Sequence, residues 1–241
     1  MGYVAKNPCK KLRFGESEAD KAQREKRPFS EEQLVTLFTS EAFRPDYPKS
    51  RTLFWTTVMA LFHGFRMEEI LQLTSDDIKE DAASGILFFD IHDEGDNRLK
   101  NRNARRRVPV HSTLIKLGFK ALLASASSTQ DKRLFPDVKR AKGIDTSYRK
   151  NFTRTYSRYL KRCGVHHSLT TFHSLRRNFT VAGTNAKIPR DTLNAICGWK
   201  LLGGQGGTYL KSTDYDIAML SEELEKVSYP FLDAILFKPS S

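Results

Sequence analysis

Residues 50–63 read SRTLFWTTVMALFH, and apolar side chains lie nearly all round a helix drawn through them. A helix with almost no wet face must be wrapped by other elements. One interior helix therefore constrains the whole architecture, because everything else has to pack around it. Gly64 follows directly and suits the left-handed position that ends a helix.

The wrapping elements are legible in outline. Ser30, with Glu31, Glu32 and Gln33 behind it, carries a capping-box pattern, and Leu34, Leu37 and Phe38 give the following helix one apolar face. A short helix near 66–73 turns Ile70, Leu71 and Leu73 inward. ILFFDI at 86–91 reads as a strand, a turn follows at Asp93 to Asp96 around Gly95, and two short strands near 97–101 and 105–110 complete a small antiparallel sheet. Further helices are expected near 112–125, 146–163, 173–185, 190–197 and 214–227, with Gly164 and Gly198 as stops. In 146–163, Tyr148, Phe152, Tyr156, Tyr159 and Leu160 keep helical spacing. Helices, then a small sheet, then helices again do not give the alternation of parallel βαβ units. The expected class is mainly α with a small antiparallel β-sheet (α+β). Residues 1–28 read as a basic arm or linker, and 29–241 as one domain.

No apolar run approaches the ~18 residues of a membrane-spanning helix, and the first residues, MGYVAKNPCKKLRFG, lack the apolar region of a secretion signal. Lys and Arg number 40 against 28 Asp and Glu, a formal charge of +12. That balance favours a polyanionic partner, either nucleic acid or an acidic membrane surface. No basic amphipathic helix with a clean apolar face supports the membrane. The charge is uneven: 98–107 (RLKNRNARRR) has six basic groups and no acid, and 132–162 has eleven basic groups and two acids. Residues 212–237 reverse sign, with six acids and one Lys. Cys9, Cys163 and Cys197 are odd in number and far apart, which points to a reducing compartment, and the cytoplasm is the expected location.

Two apparent motifs carry little. GGQGG at 203–207 lacks the GK[ST] ending of a phosphate loop and no strand precedes it, so it reads as a hinge. Cys163, His166, His167 and His173 match no standard zinc spacing, and no metal or other cofactor is expected. FHSLRRNF at 172–179 is sharper. His173 and Arg176 lie three apart on one helix face, a titratable imidazole beside a bidentate guanidinium, which suits a phosphate.

That pair gains meaning from its partners in chain order. HGFRMEEIL lies at 63–71, Lys100 in the expected hairpin ahead of RRRVPV at 105–110, CGWK at 197–200, and Thr208-Tyr209 just past the glycines. The ordered set resembles the catalytic domain of tyrosine recombinases, the phage-integrase family, from about residue 28 to about 230. It is similar to integrases of bacterial mobile elements in its RPFS opening and its RRRVPVH hairpin end. The resemblance implies that Arg66, Lys100, His173, Arg176, Trp199 and Tyr209 are catalytic, with Glu69 supporting. Arg177 stands where a His is common, and Cys197-Gly198-Trp199 where Leu-Gly-His is common. On this resemblance the sequence is expected to correspond to the catalytic domain, without the family's N-terminal core-binding domain.

The implied function is site-specific recombination of double-stranded DNA, integrating or excising a mobile element, by a tetramer on DNA, with a monomer as the expected free form. The implied step is attack by Tyr209 on a phosphodiester, giving a 3′-phosphotyrosine and a free 5′-hydroxyl. A tyrosine of ordinary pKa, about 10, needs assistance; His173 would give it. Arg66 and Arg176 would balance charge on the developing phosphorane. Lys100 would protonate the leaving oxygen, and Trp199 would donate an indole N–H. Arg102, Arg105, Arg106, Arg149, Lys150 and Arg177 are the expected DNA-backbone contacts. The acidic stretch 214–233 would dock on a neighbouring subunit. Other readings stay open on sequence grounds: Arg66 as a cap, Arg102 in place of Lys100, Trp199 as packing, His173 as a core histidine, Tyr215 in place of Tyr209. A DNA-binding module without catalysis and a type IB topoisomerase-like enzyme share the charge pattern.

Overall fold

The computed structural model describes residues 26–41, 49–99, 104–143, 146–200 and 212–237. Helix α1 spans Glu31–Phe38, α2 Ser50–His63, and α3 Met67–Leu71. Strands β1 (Ile78–Glu80), β2 (Leu87–Ile91) and β3 (Arg106–Pro109) follow. Then come α4 (Ser112–Lys116), α5 (Phe119–Ser127), α6 (Tyr148–Arg162), α7 (Phe172–Asn185), α8 (Arg190–Cys197), α9 (Ile217–Leu224) and α10 (Pro230–Leu236).

Helix α2 is the interior helix: all of it except Arg51 and Phe54 is buried. Its three threonines are hydrogen-bonded within the protein, as burial demands. Thr52 donates to Asp137 at 2.6 Å, Thr56 to the Thr52 carbonyl at 2.6 Å, and Thr57 shares a 3.1 Å bond with the Tyr156 hydroxyl. Helix α7 packs along it, α3 continues from its end, and α6 packs on α3. The crossing of α2 and α7 requires a glycine. Gly64 has φ +63°, and a Cβ there would stand 2.6 Å from the Phe179 ring of α7.

The capping box of α1 forms as expected. Gln33 N–H donates to the Ser30 hydroxyl at 3.2 Å, and Ser30 N–H to the Gln33 amide oxygen at 3.0 Å. The mainly helical fold with its small antiparallel sheet is also as expected, but the strand membership differs. The sheet order is β1-β2-β3, with Ile78 opposite Phe89 and Phe89 opposite Val108. The strand expected near 97–101 does not form at 97–99; Arg98 N–H instead donates to the Gln72 side chain. The third strand is β1, only three residues with one apolar side chain, too short to show alternation. The helix expected over 112–125 is two helices, broken at Gly118 with φ +92°.

The acidic tail departs most from expectation. It forms two helices and packs on its own chain, α9 against β3 and α10 against α1. Leu220, Leu224, Val227 and Leu232 are fully buried there. Glu225 accepts from the Ser112 N–H at 2.7 Å and its hydroxyl at 2.6 Å, and Tyr229 donates to the Leu61 carbonyl at 3.1 Å. These four apolar side chains of the tail are thus covered by its own chain. No described helix is long and apolar enough to cross a membrane.

Gly64→Ala combines a left-handed backbone with a clash against a ring in a packed core. We expect a loss of roughly 2–3 kcal/mol, measured as a fall in thermal midpoint of several degrees, whereas Gly95→Ala, with open space around it, should lose about 1 kcal/mol.

Candidate active site

The site is built on the turn between α2 and α3. Arg66 has an extended backbone and its N–H is free of the helix, so Glu69 caps it from three residues on: the Arg66 N–H donates to Glu69 Oε2 at 2.9 Å. The same carboxylate accepts from Arg66 Nη1 at 2.6 Å and from Arg106 Nη2 at 2.8 Å. Glu69 is 2% exposed. Burial opposes its charge, but the Arg106 guanidinium, by charge and hydrogen bond, and then Arg66 outweigh it and pull the carboxyl down to about 2.

Arg176, one turn into α7, is 2% exposed. Its fork is fixed by backbone carbonyls: Nη1 donates to Gly64 at 2.5 Å and Nη2 to Cys197 at 2.6 Å. The guanidinium lies 5.0 Å from the centre of the Trp199 ring. Burial lowers its pKa to about 10, and the nearby Arg106 and Arg66 charges add to that. A guanidinium at that value still keeps its proton at neutral pH. Trp199 itself is 38% exposed, so it is not simply core packing.

A cleft of about 730 Å³ opens beside Arg66. His173, exposed at the start of α7, lines it together with Arg66, Arg98, Arg149 and His166. Arg66, Glu69, His173, Arg176 and Trp199 thus gather on the α2–α3 turn, the start of α7 and the end of α8. Lys100, Arg102 and Tyr209 lie outside the described residues. Tyr215, the alternative phenol, is partly buried where its carbonyl accepts from Arg107 at 3.4 Å.

The basic stretches divide sharply. On α6, Tyr148, Phe152, Tyr156, Tyr159 and Leu160 are buried, and Arg149, Lys150, Arg154, Arg158, Lys161 and Arg162 are all exposed. Arg177 is partly exposed on α7. The three arginines at 105–107 have three different environments. Arg105 pairs with Asp93 and Glu94 at the surface. Arg107 turns to the tail, donating to the Thr213 carbonyl at 2.8 Å. Arg106, expected on the DNA backbone, is instead fully buried, its side chain 0% exposed. A period-two strand explains why: Arg106 shares its face with Val108, a core residue, and that signal was present in the sequence.

Three further contributors escaped the sequence reading. Arg98 faces the cleft from a segment expected to be strand. Glu68 caps α6, accepting from the N–H groups of Tyr148 at 3.0 Å and Arg149 at 2.7 Å, and so joins the Arg66 turn to the basic helix. The carbonyls of Gly64 and Cys197 aim Arg176, and backbone carbonyls leave no mark in a sequence.

The sequence profile described as the phage integrase family matches residues 28–214, and the chain belongs to that family. The structure is similar to that of the integrase from mycobacterium phage Brujita, with 17% identity, 89% of this chain and 60% of that chain covered, and a TM-score of 0.53. It also resembles the XerH site-specific recombinase bound to difH substrate in a pre-cleavage complex, with 14% identity, 88% and 53% covered, and a TM-score of 0.45. The chain therefore spans about 60% or less of the length of these solved relatives. Among curated proteins no sequence relative matches.

Because the folded Glu69 carboxyl is held below its ordinary value, its contribution to stability is complete above about pH 4.5 and is lost as pH falls toward 2. Urea unfolding across that window should show wild type losing stability more steeply than Glu69→Gln, which lacks the titrating group.

Proposed function

We propose that this chain cuts and rejoins double-stranded DNA through a tyrosine nucleophile, in the integration or excision of a mobile element. The observation that carries the reading is the pair Arg66 and Arg176. Arg66 is held by a carboxylate and lines a basic cleft with an imidazole on it, and Arg176 is held by two carbonyls, one of them that of Gly64 two residues before Arg66. Family membership supplies the prior for the chemistry.

In this reading the scissile phosphate sits against Arg66, Arg176 and His173. Tyr209 attacks phosphorus as His173 assists removal of its phenolic proton. The bond to the 5′-oxygen breaks, and Lys100 protonates that oxygen. The product is a 3′-phosphotyrosyl ester and a 5′-hydroxyl, so the phosphodiester bond energy is kept for rejoining to another 5′-hydroxyl. The two guanidiniums offset charge that grows in the transition state, where fixed donors act most strongly. Trp199 stacks on Arg176 and can donate its indole N–H. Arg98, Arg149, Lys150 and the outer face of α6 follow neighbouring phosphates, which gives strong, salt-sensitive and mostly sequence-blind affinity. Strand exchange would take place in a tetramer on two sites.

A duplex nicked near its cleavage site loses the short fragment that carries the 5′-hydroxyl, which traps the covalent adduct. The chain should form that adduct, Tyr209→Phe should form none, and Arg66→Ala should slow it by about 10²–10³. Arg98→Ala and Arg149→Ala should each flatten the salt dependence of DNA binding by about one phosphate contact. DNA binding without any adduct would favour a non-catalytic module. Plasmid relaxation without recombinant product would favour a topoisomerase-like enzyme.

A further inference from the structure

Arg106 takes no part in the proposed chemistry, yet all three of its nitrogens have fixed partners on three separate segments. Nε donates to the Ile196 carbonyl at 2.7 Å, in the last turn of α8. Nη1 donates to the Ala104 carbonyl at 2.8 Å, on the chain leading into β3. Nη2 donates to Glu69 at 2.8 Å, in α3. The group lies 5.4 Å from the centre of the Phe65 ring. Across it stands Gly198, where a Cβ would come within 2.8 Å of Nη1.

From this geometry we infer that Arg106 is a positioning residue for strand cleavage, acting through Glu69 on Arg66 and through Ile196 on the Trp199 turn. The inference rests on the recombinase reading above. Glu69 is one buried negative charge between two guanidiniums. While Arg106 holds one side of the carboxylate, Arg66 meets it through Nη1 and keeps its outer edge for the cleft. Without Arg106, the carboxylate has Arg66 as its single close cation and draws that fork and its charge inward, away from a phosphate. The same loss frees the end of α8. Arg106 and Arg176 pin the successive carbonyls of Ile196 and Cys197, and Gly198 and Trp199 follow directly. The sequence between β3 and that turn is thereby tied to the arginine pair by one side chain.

A role confined to packing would lower stability and leave the chemistry of folded molecules intact. The test compares wild type, Arg106→Met, Arg106→Lys, Glu69→Gln and the Glu69→Gln/Arg106→Met double variant. Adduct formation on the nicked duplex is measured from pH 5 to 9 at saturating protein, with folding followed by circular dichroism. We expect Arg106→Met to slow the adduct by about 10²-fold and Arg106→Lys to recover part of that rate. The Arg106→Met loss should shrink toward the acid end of that range relative to wild type, because Glu69 without its second cation protonates more readily and then releases Arg66. In the double variant the two losses should overlap, since both act through one contact. Wild-type rates in whichever Arg106 variant remains folded, or losses that multiply in the double variant, would overturn the inference. A wild type that yields no adduct would sink the recombinase reading instead. In that case urea unfolding against pH still decides the coupling: Arg106→Met must lose less stability than wild type as pH falls from about 4.5 toward 2, its loss levelling off at a higher pH, and an unchanged loss refutes it.

Discussion

A single buried carboxylate organises the site. Glu69 is 2% exposed and ionised, and an isolated charge in that position would be very costly. It is stable because Arg66 and Arg106 meet it at 2.6 and 2.8 Å and because the Arg66 N–H closes on it as well. The consequences run outward. The α2–α3 turn is fixed, Arg66 is directed to the cleft, and β3 is joined to the end of α8. Arg176 completes the frame from α7 by binding the carbonyls of Gly64 and Cys197. Three guanidiniums against one carboxylate leave the frame net positive, which is the charge a phosphodiester requires. Buried ion pairs are weak sources of stability but strong sources of geometry, and geometry is what a phosphoryl-transfer site needs.

The packing around this frame serves the same end. Helix α2 gives the rigid floor, and its end can approach α7 only because residue 64 carries no side chain. Glu68, adjacent to Glu69, faces the other way and caps α6. One short helix therefore links the paired arginines to the basic surface. The acidic tail packs on β3 and α1 of the same body, with Leu220, Leu224 and Leu232 buried in the common core.

Much of this was legible in the sequence for physical reasons. An all-round apolar segment can only be interior, so α2 was secure, and Ser30 with Gln33 fixed the start of α1 through specific hydrogen bonds. The tyrosine and phenylalanine spacing of α6 marked its buried face. The order HGFR…HSLRR…CGW identified the residues that gather, because each belongs to a turn or helix end with its own signal. What escaped was set by distant partners. Strand β1 is three residues long and exists because β2 offers it an edge. Helix α10 begins at Pro230, a favourable first position for a helix, but its apolar face makes sense only against α1. Arg106 lay in a run of like charges, and the run concealed three different environments. Local charge counts cannot show that one guanidinium faces a buried carboxylate contributed from 37 positions earlier in the chain.

The central claim is that Arg66, Arg176 and His173 converge on one phosphate. The most direct measurement is a crystal structure of the chain on a nicked duplex with vanadate in place of the scissile phosphorus. The account predicts vanadate oxygens within hydrogen-bond distance of both guanidiniums and the imidazole, with the Tyr209 oxygen at an apical position. Vanadate bound elsewhere, or DNA lying across another face out of reach of Arg66 and Arg176, would contradict it.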